Sequence, residues 1–265
     1  DFHTYYIMME STTPPFDDVR MRQAMAKAID RELICSTTLK GFAEPAWEML
    51  PRGFPAYTAD HQKHQMLDVE GAKKLLADAG YPDGKGFPKL ELWVRNEAGR
   101  IDSMKPLAEF AQAQWKQNLG IDIEVKAVTA SVFFSSDVAN PDTYPHFYTD
   151  LQMYTTTMTQ PDPETFMLQF CSWEAAQKEN KWQGRNITRW QNKEYDDAHK
   201  AAQTELDPVK RAALLIRCNE LVIENYVVIP LVMRPGAAAA ASNLVLEISG
   251  WDNNTWDLAN WYREG

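Results

Sequence analysis

The chain lacks the features that would tie it to a membrane or to nucleic acid. Nowhere in its 265 residues is there a window of about 18 uninterrupted apolar residues, so nothing reads as a membrane-crossing helix. The first residues do not form a basic and then apolar leader, and they give no information about compartment. Basic side chains are the scarcer sign, 27 Lys and Arg against 37 Asp and Glu, giving a net charge of −10. Such a surface repels both nucleic acid and anionic lipid, which leaves a small molecule or another protein as partner. Only three cysteines occur, Cys35, Cys171 and Cys218, with no CxxC spacing, and an odd number cannot all pair internally. Cys35 and Cys218 fall on helical patterns and read as core residues. No Ser-centred nucleophile elbow and no zinc signature is present. The glycines of GYPDGKG, residues 80–86, do not have phosphate-loop spacing and read as a turn after a helix.

What is present is a globular composition, 45% hydrophobic and 24% charged, in a chain long enough for one large or two ordinary domains. After Asp17 or Asp18 as cap, Met21, Met25, Ala28, Ile29 and Leu33 recur at three- and four-residue spacing, predicting one amphipathic helix that Gly41 stops. Asp68 caps a second helix with the stripe Ala72, Leu75, Leu76 and Ala79, ended by Gly80. A strand is expected over 89–96. A third helix follows with Met104, Leu107, Ala108, Ala111, Trp115 and Leu119 on one face, then a strand over 121–128. Another strand is expected over 147–155, then a loop, a short helix at ETFMLQF, and two helices over 192–205 and 207–226. Asp207 and Pro208 mark the start of the last helix, because proline at the first helical position gives up no bonded N–H. Residues 227–234 read as a buried strand. The order of helices and strands gives an α/β fold. No internal repeat is found, and no low-complexity run beyond 237–241.

Four segments, in this order, carry a resemblance: PPFDDVRMRQAMAKAIDRELI, DVEGAKKLLADAGYPDGKGFPKLEL, WKQNLGIDIEVKAV and WQNKEYDDAHKAAQTELDPVKRAALLIRCNELVIENYVVIPL. Together they resemble the carboxyl-terminal half of the family 5 extracellular solute-binding proteins, the peptide, nickel and oligosaccharide receptors of bacterial ABC importers. The resemblance runs from about Thr12 to Trp261. It implies the second lobe of a two-lobed periplasmic-binding-protein-like fold of the class II type, with strands belonging to the first lobe at both ends. On that basis residues 1–15 are expected to be a first-lobe segment, 16–234 the second lobe, and 235–265 the return to the first lobe. The chain is expected to be about half of a full receptor. Its partners would be a small solute, an ABC importer permease and the amino-terminal half of the same protein, with no cofactor. Localisation would be periplasmic or extracellular, with a lipoprotein anchor in the full precursor.

The same resemblance places the loop after strand 147–155 at the ligand cleft. Peptide-binding members carry there an aspartate three residues before an acidic-Pro pair, to hold a peptide's amino terminus. Here the pair is Asp162-Pro163 and the earlier position is Thr159. A hydroxyl cannot supply the charge-assisted bond that makes ammonium recognition strong. Tyr154, Thr155, Thr156, Thr157, Thr159 and Gln160 offer neutral donors and acceptors instead, which favours an oligosaccharide or other neutral polar ligand over a peptide. A Thr-rich run is also simply good strand sequence. Of the nine tryptophans, Trp47, Trp173, Trp182 and Trp190 lie outside the helical stripes. Packing explains any one of them, and Trp173 and Trp182, set among polar residues, are the candidates for stacking on a ligand. Trp251, Trp256 and Trp261 are expected to pack against the first lobe.

Tyr154, Thr156, Thr157, Thr159, Gln160, Asp162, Trp173 and Trp182 are therefore the candidate ligand-binding residues, with no catalytic and no metal residue. DHQKH, residues 60–64, has two histidines three apart but nothing to complete a metal shell, and reads as a solvated loop. Asn186 lies in an Asn-X-Thr sequon. Arg185, Asn186 and Arg189 either reach the cleft or serve as polar groups at a helix entry. The rival reading is an enzyme such as a glycoside hydrolase using two carboxylates, for which Glu48, Asp162 and Glu174 are the acids near aromatics.

Overall fold

The computed structural model describes residues 4–50, 59–96, 104–156, 158, 162–233, 239–247 and 255–265. In chain order these form β1 (Thr4–Met9), α1 (Val19–Lys27), α2 (Arg31–Leu33), β2 (Glu44–Pro45), α3 (Gln62–Gln65), α4 (Val69–Asp78), β3 (Leu90–Asn96), α5 (Met104–Leu119), β4 (Ile123–Thr129), α6 (Ala130–Phe133), β5 (Leu151–Thr156), α7 (Glu164–Met167), α8 (Lys193–Thr204), α9 (Pro208–Glu224), β6 (Val228–Met233), β7 (Leu244–Val245) and β8 (Tyr262–Arg263).

Six strands make one mixed sheet in the order β2-β6-β1-β5-β3-β4. β1 runs antiparallel to β5 and β6, and β3 runs parallel to β4 and β5. All six residues of β1 are buried. Tyr5, Ile7 and Met9 enter a core with α1, α4 and α5, while Tyr6 and Met8 enter a second core with α8 and α9. A strand apolar on both faces must be covered on both faces, and the result is a three-layer α/β/α arrangement. Thr4–Met9, within the segment 1–15 expected to belong to a first lobe, is hydrogen-bonded on both edges to strands of this sheet.

The helix starts follow their caps. Asp18 accepts from the Arg20 amide, Asp68 from Gly71, Asn192 from Tyr195, and Asp207 from Val209 and Lys210. The predicted stripe of α5 is buried at every position. The first helix differs from expectation: it stops after Lys27, and Asp30 turns its carboxylate to the Leu33 amide to start α2. A side chain that can cap competes with the helix interior, so the run breaks there and Leu33 comes out 40% exposed. The strand expected over 147–155 begins only at Leu151, since Phe147 sits at φ +50. At the turn after α4, a side chain on Gly84 would lie 2.6 Å from the Leu119 carbonyl oxygen, so only glycine lets this turn close on the end of α5.

Arg31 joins three parts of the fold. Its side chain is 1% exposed. Nε donates to the Pro230 carbonyl (2.6 Å), Nη1 to the carbonyls of Gln65 (2.5 Å) and Ala26 (3.2 Å), and Nη2 to Gln65 Oε1 (2.9 Å). The guanidinium also lies over the Trp47 ring, 5.6 Å from its centre. Burial pushes it down to about 9. Pro230 lies in β6 where the β1–β6 register shifts, a position where its missing N–H breaks no regular ladder. DHQKH is not a solvated loop. His61 is 3% exposed, with Nδ1 3.2 Å from Glu48 Oε1, and the Asn219 amide donates to the other Glu48 oxygen.

Replacing Arg31 with Met should cost about 3 kcal/mol or more in urea unfolding, because several buried carbonyls lose their donor at once. Asp207→Ala, which removes only a cap, should cost about 1 kcal/mol.

Candidate functional site

β1 and β5 pair with Tyr6 opposite Tyr154. Both rings point to the α8–α9 side of the sheet, with centres 5.4 Å apart. Tyr154 is 8% exposed and its hydroxyl donates to Met8 Sδ at 3.5 Å. Just past β4, α6 delivers two adjacent phenylalanines: Phe133 is buried, and Phe134 is 46% exposed. Tyr144 stacks on Phe133 (5.9 Å) and meets Phe134 (5.6 Å) and Tyr154 (5.7 Å) edge-on. Burial raises the phenols of Tyr144 and Tyr154 above their ordinary value, so both remain neutral hydroxyls at neutral pH.

These rings form one side of a recess of about 450 Å³, completed by Thr155 and Thr156 of β5, Met158, Asp162, Thr165 and Phe166 of α7, Gln169 and Arg185. Of the predicted ligand residues, Tyr154, Thr156 and Asp162 line it. Thr157, Thr159 and Gln160 lie outside the described residues, as does Trp251. Trp173 and Trp182 are not among its lining residues. Trp173, 41% exposed, carries Lys200 Nζ over its ring at 4.5 Å, and Trp182 packs against His146 (4.7 Å) and under Arg189 (5.3 Å). Trp47 and Trp190 are buried, in keeping with packing. Phe134, Tyr144, Phe166 and Gln169 went unnoticed in the sequence. The only local signal was the Phe133-Phe134 pair, since two adjacent large rings at the end of a helix point in different directions and cannot both face one core.

Asp162 is already occupied. Arg211 grips it from both sides, Nη1 to Oδ2 at 2.5 Å and Nη2 to Oδ1 at 3.1 Å, and the Glu164 amide donates to Oδ1 at 2.9 Å. Burial works against its charge, but these donors outweigh it and hold the carboxyl below 3.8. Glu48 is sealed against His61 and Asn219, and Glu174 accepts the Arg185 amide at 3.3 Å. The three acids of the enzyme reading thus have structural partners, and only Asp162 reaches the recess. Asn186 is buried, its amide donating to the carbonyls of Cys171 and Trp190. Arg189 donates to the carbonyls of Ala176 and His146. Of these three polar residues only Arg185 lines the recess. Among the described residues no cluster of three or more His, Cys, Asp or Glu could hold a metal ion. The recess therefore offers flat apolar walls, neutral hydroxyls and one guanidinium, which is equipment for binding.

Residues 1–178 match the family described as bacterial extracellular solute-binding proteins, family 5 middle. The chain belongs to this family. It is 26% identical over 234 residues to the oligopeptide-binding protein OppA of Bacillus subtilis (strain 168), covering 86% of this chain and 39% of that protein. To the probable deoxycholate-binding periplasmic protein of Escherichia coli (strain K12) it is 26% identical over 231 residues, 84% of this chain and 38% of that one. A dipeptide binding protein from Pseudoalteromonas sp. SM9913, solved in complex with Met-Leu, superposes with a TM-score of 0.79 at 23% identity, over 99% of this chain and 48% of that one. That likeness shows the fold. The chain thus spans less than half the length of these relatives. The family is described as solute-binding proteins, which does not favour the glycosidase reading.

The Asp162–Arg211 pair has a pH signature. A carboxyl held below 3.8 contributes stability that is present above that pH and lost as pH falls through the lower, folded value. Carboxyl NMR titration should place Asp162 below 3.8, and Arg211→Ala should move it upward and remove that part of the acid sensitivity.

Proposed function

We propose that this chain is the carboxyl-terminal portion of the solute-binding component of a bacterial ABC importer, and that the recess beneath Phe134, Tyr144 and Tyr154 is its share of the solute site. The observation that carries the reading is the half-open aromatic recess at the end of β5, in a lobe of this family. One lobe gives one wall, and a second lobe closing over it would bury the solute, as hinge closure does in two-lobed receptors. The amino-terminal half of the protein, the permease and a periplasmic or extracellular setting with a lipoprotein anchor belong to the same proposal. So does the assignment of residues 235–265 to a return segment. There β7 and β8, among the described residues, pair only with each other, and Trp256, Leu258 and Tyr262 are exposed, a surface suited to cover by a first lobe.

The solute presents a ring or flat apolar face to this recess. Thr159 argues against an ammonium held at that position, as in the peptide-binding pattern, and an oligosaccharide satisfies both conditions. The relatives are named for oligopeptides and deoxycholate, neither of which is a sugar. A peptide side chain or a fused-ring body fits the same walls.

Native mass spectrometry of the full-length protein, compared with its denatured mass, should show a small solute that denaturation releases. Equal masses, together with no thermal stabilisation by peptides, sugars or bile acids, would overturn the reading. Phe134→Ala should weaken solute binding about fivefold, the value of one aromatic contact. It should leave the melting temperature unchanged, because the ring is half exposed.

A further inference from the structure

The charges around the recess do not cancel. Among the described lining residues two are ionised, Asp162 and Arg185. Both oxygens of Asp162 are taken, by Arg211 and by the Glu164 amide, so its charge is matched outside the recess. Among the described residues no carboxylate matches the Arg185 guanidinium. Its Nη1 donates to the Thr165 carbonyl at 3.2 Å, and its main-chain amide meets Glu174. A guanidinium carries five N–H donors, and among the described residues one of them is used, leaving a planar fork that fits a carboxylate with two parallel bonds. Rings line the same recess. Phe134 is half exposed and Phe166 half buried, both lining it together with Tyr144. A guanidinium sharing a recess with these rings, in a chain of net charge −10, is a specific local arrangement and not a reflection of overall composition.

We propose that the solute is an amphipathic anion, with an apolar or ring-bearing body lying against Phe134, Tyr144 and Phe166 and a carboxylate paired with Arg185. This rests on the solute-binding reading above and makes Arg185 the specificity-determining residue of this lobe. It narrows the neutral-ligand expectation. The Thr hydroxyls serve the body of the ligand, and its charge goes to Arg185.

The test is calorimetric titration of the full-length receptor, freed of any retained solute, with three matched acid and amide pairs: 3-phenylpropionate and 3-phenylpropionamide, Ala-Phe and Ala-Phe-amide, cholate and cholamide. At least one acid is expected to bind tenfold or more tightly than its amide, the scale of one charge-assisted pair. Arg185→Gln should weaken that acid about tenfold, leave the amide unchanged and so close the gap, and Arg185→Lys should recover part of it. Arg185 is exposed, so equal melting temperatures will show that the variants fold. Equal affinity for acid and amide, a gap that survives Arg185→Gln, or no binding by any of the six overturns the proposal. The receptor reading is judged separately, by retained solute in the wild-type native mass. A receptor that carries solute yet ignores the acid group would sink this inference and leave that reading intact.

Discussion

Everything in this lobe is arranged around a strand that has no polar face. β1 is buried along its whole length, and its alternate residues enter two different cores. Such a strand cannot sit at a sheet edge or face water on either side, so it takes strands on both edges and helices on both faces. On one face α1, α4 and α5 supply a continuous apolar layer, fixed by the Trp115 indole donating to the Met25 carbonyl. The other face is covered partly by α8 and α9 and partly by short segments that follow β4 and β5. That second layer is where the recess opens. The β1–β5 register, which sets Tyr6 against Tyr154, therefore also determines where Tyr154 stands in the lining of the recess.

Irregular backbone around the sheet is held by buried and half-buried arginines used as carbonyl donors. Arg22 bonds the carbonyls of Phe16 and Asn225, Arg31 those of Pro230 and Gln65, and Arg189 those of Ala176 and His146. Irregular backbone buried under a sheet leaves carbonyls that no ladder can satisfy, and a fork of five donors meets several at once. Arg211 serves differently, closing on Asp162 and so removing from the recess a charge that would otherwise face the ligand.

How much of this could be read from the sequence depends on how local each feature is. α4, α5, α8 and α9 were legible because their caps, stripes and stops lie within one segment, as with Asp68 and Gly80 or Asp207 and Pro208. The break at Asp30 was not, since the same aspartate is acceptable in a helix or as a cap until burial of Arg31 decides between them. The role of β1 was hidden for a related reason: TYYIMM shows no alternation, because both its faces are buried. Of the recess, Tyr154 and Thr156 were named through the resemblance, which places the loop after their strand at the cleft, and for Arg185 the cleft stood as one of two open alternatives. Phe134, Tyr144 and Phe166 come from three separate segments that only the fold brings together. Trp173 and Trp182 looked equally suited to stacking, yet each already has a cation over its ring.

The charge of the whole chain and the charge of the recess act over different distances. A net −10 surface acts across a Debye length, about 10 Å at 0.1 M salt, and at that range it favours no anion. Arg185 acts at contact, where a lobe closing above it would exclude water and strengthen the pair. With the amphipathic anion proposed above as solute, selection would fall at closure and not at encounter: the approach would be unassisted, and the charge read only once the rings hold the body of the ligand. That order would reject small anions that lack an apolar body, since a carboxylate alone gains one exposed ion pair, worth under about 1 kcal/mol.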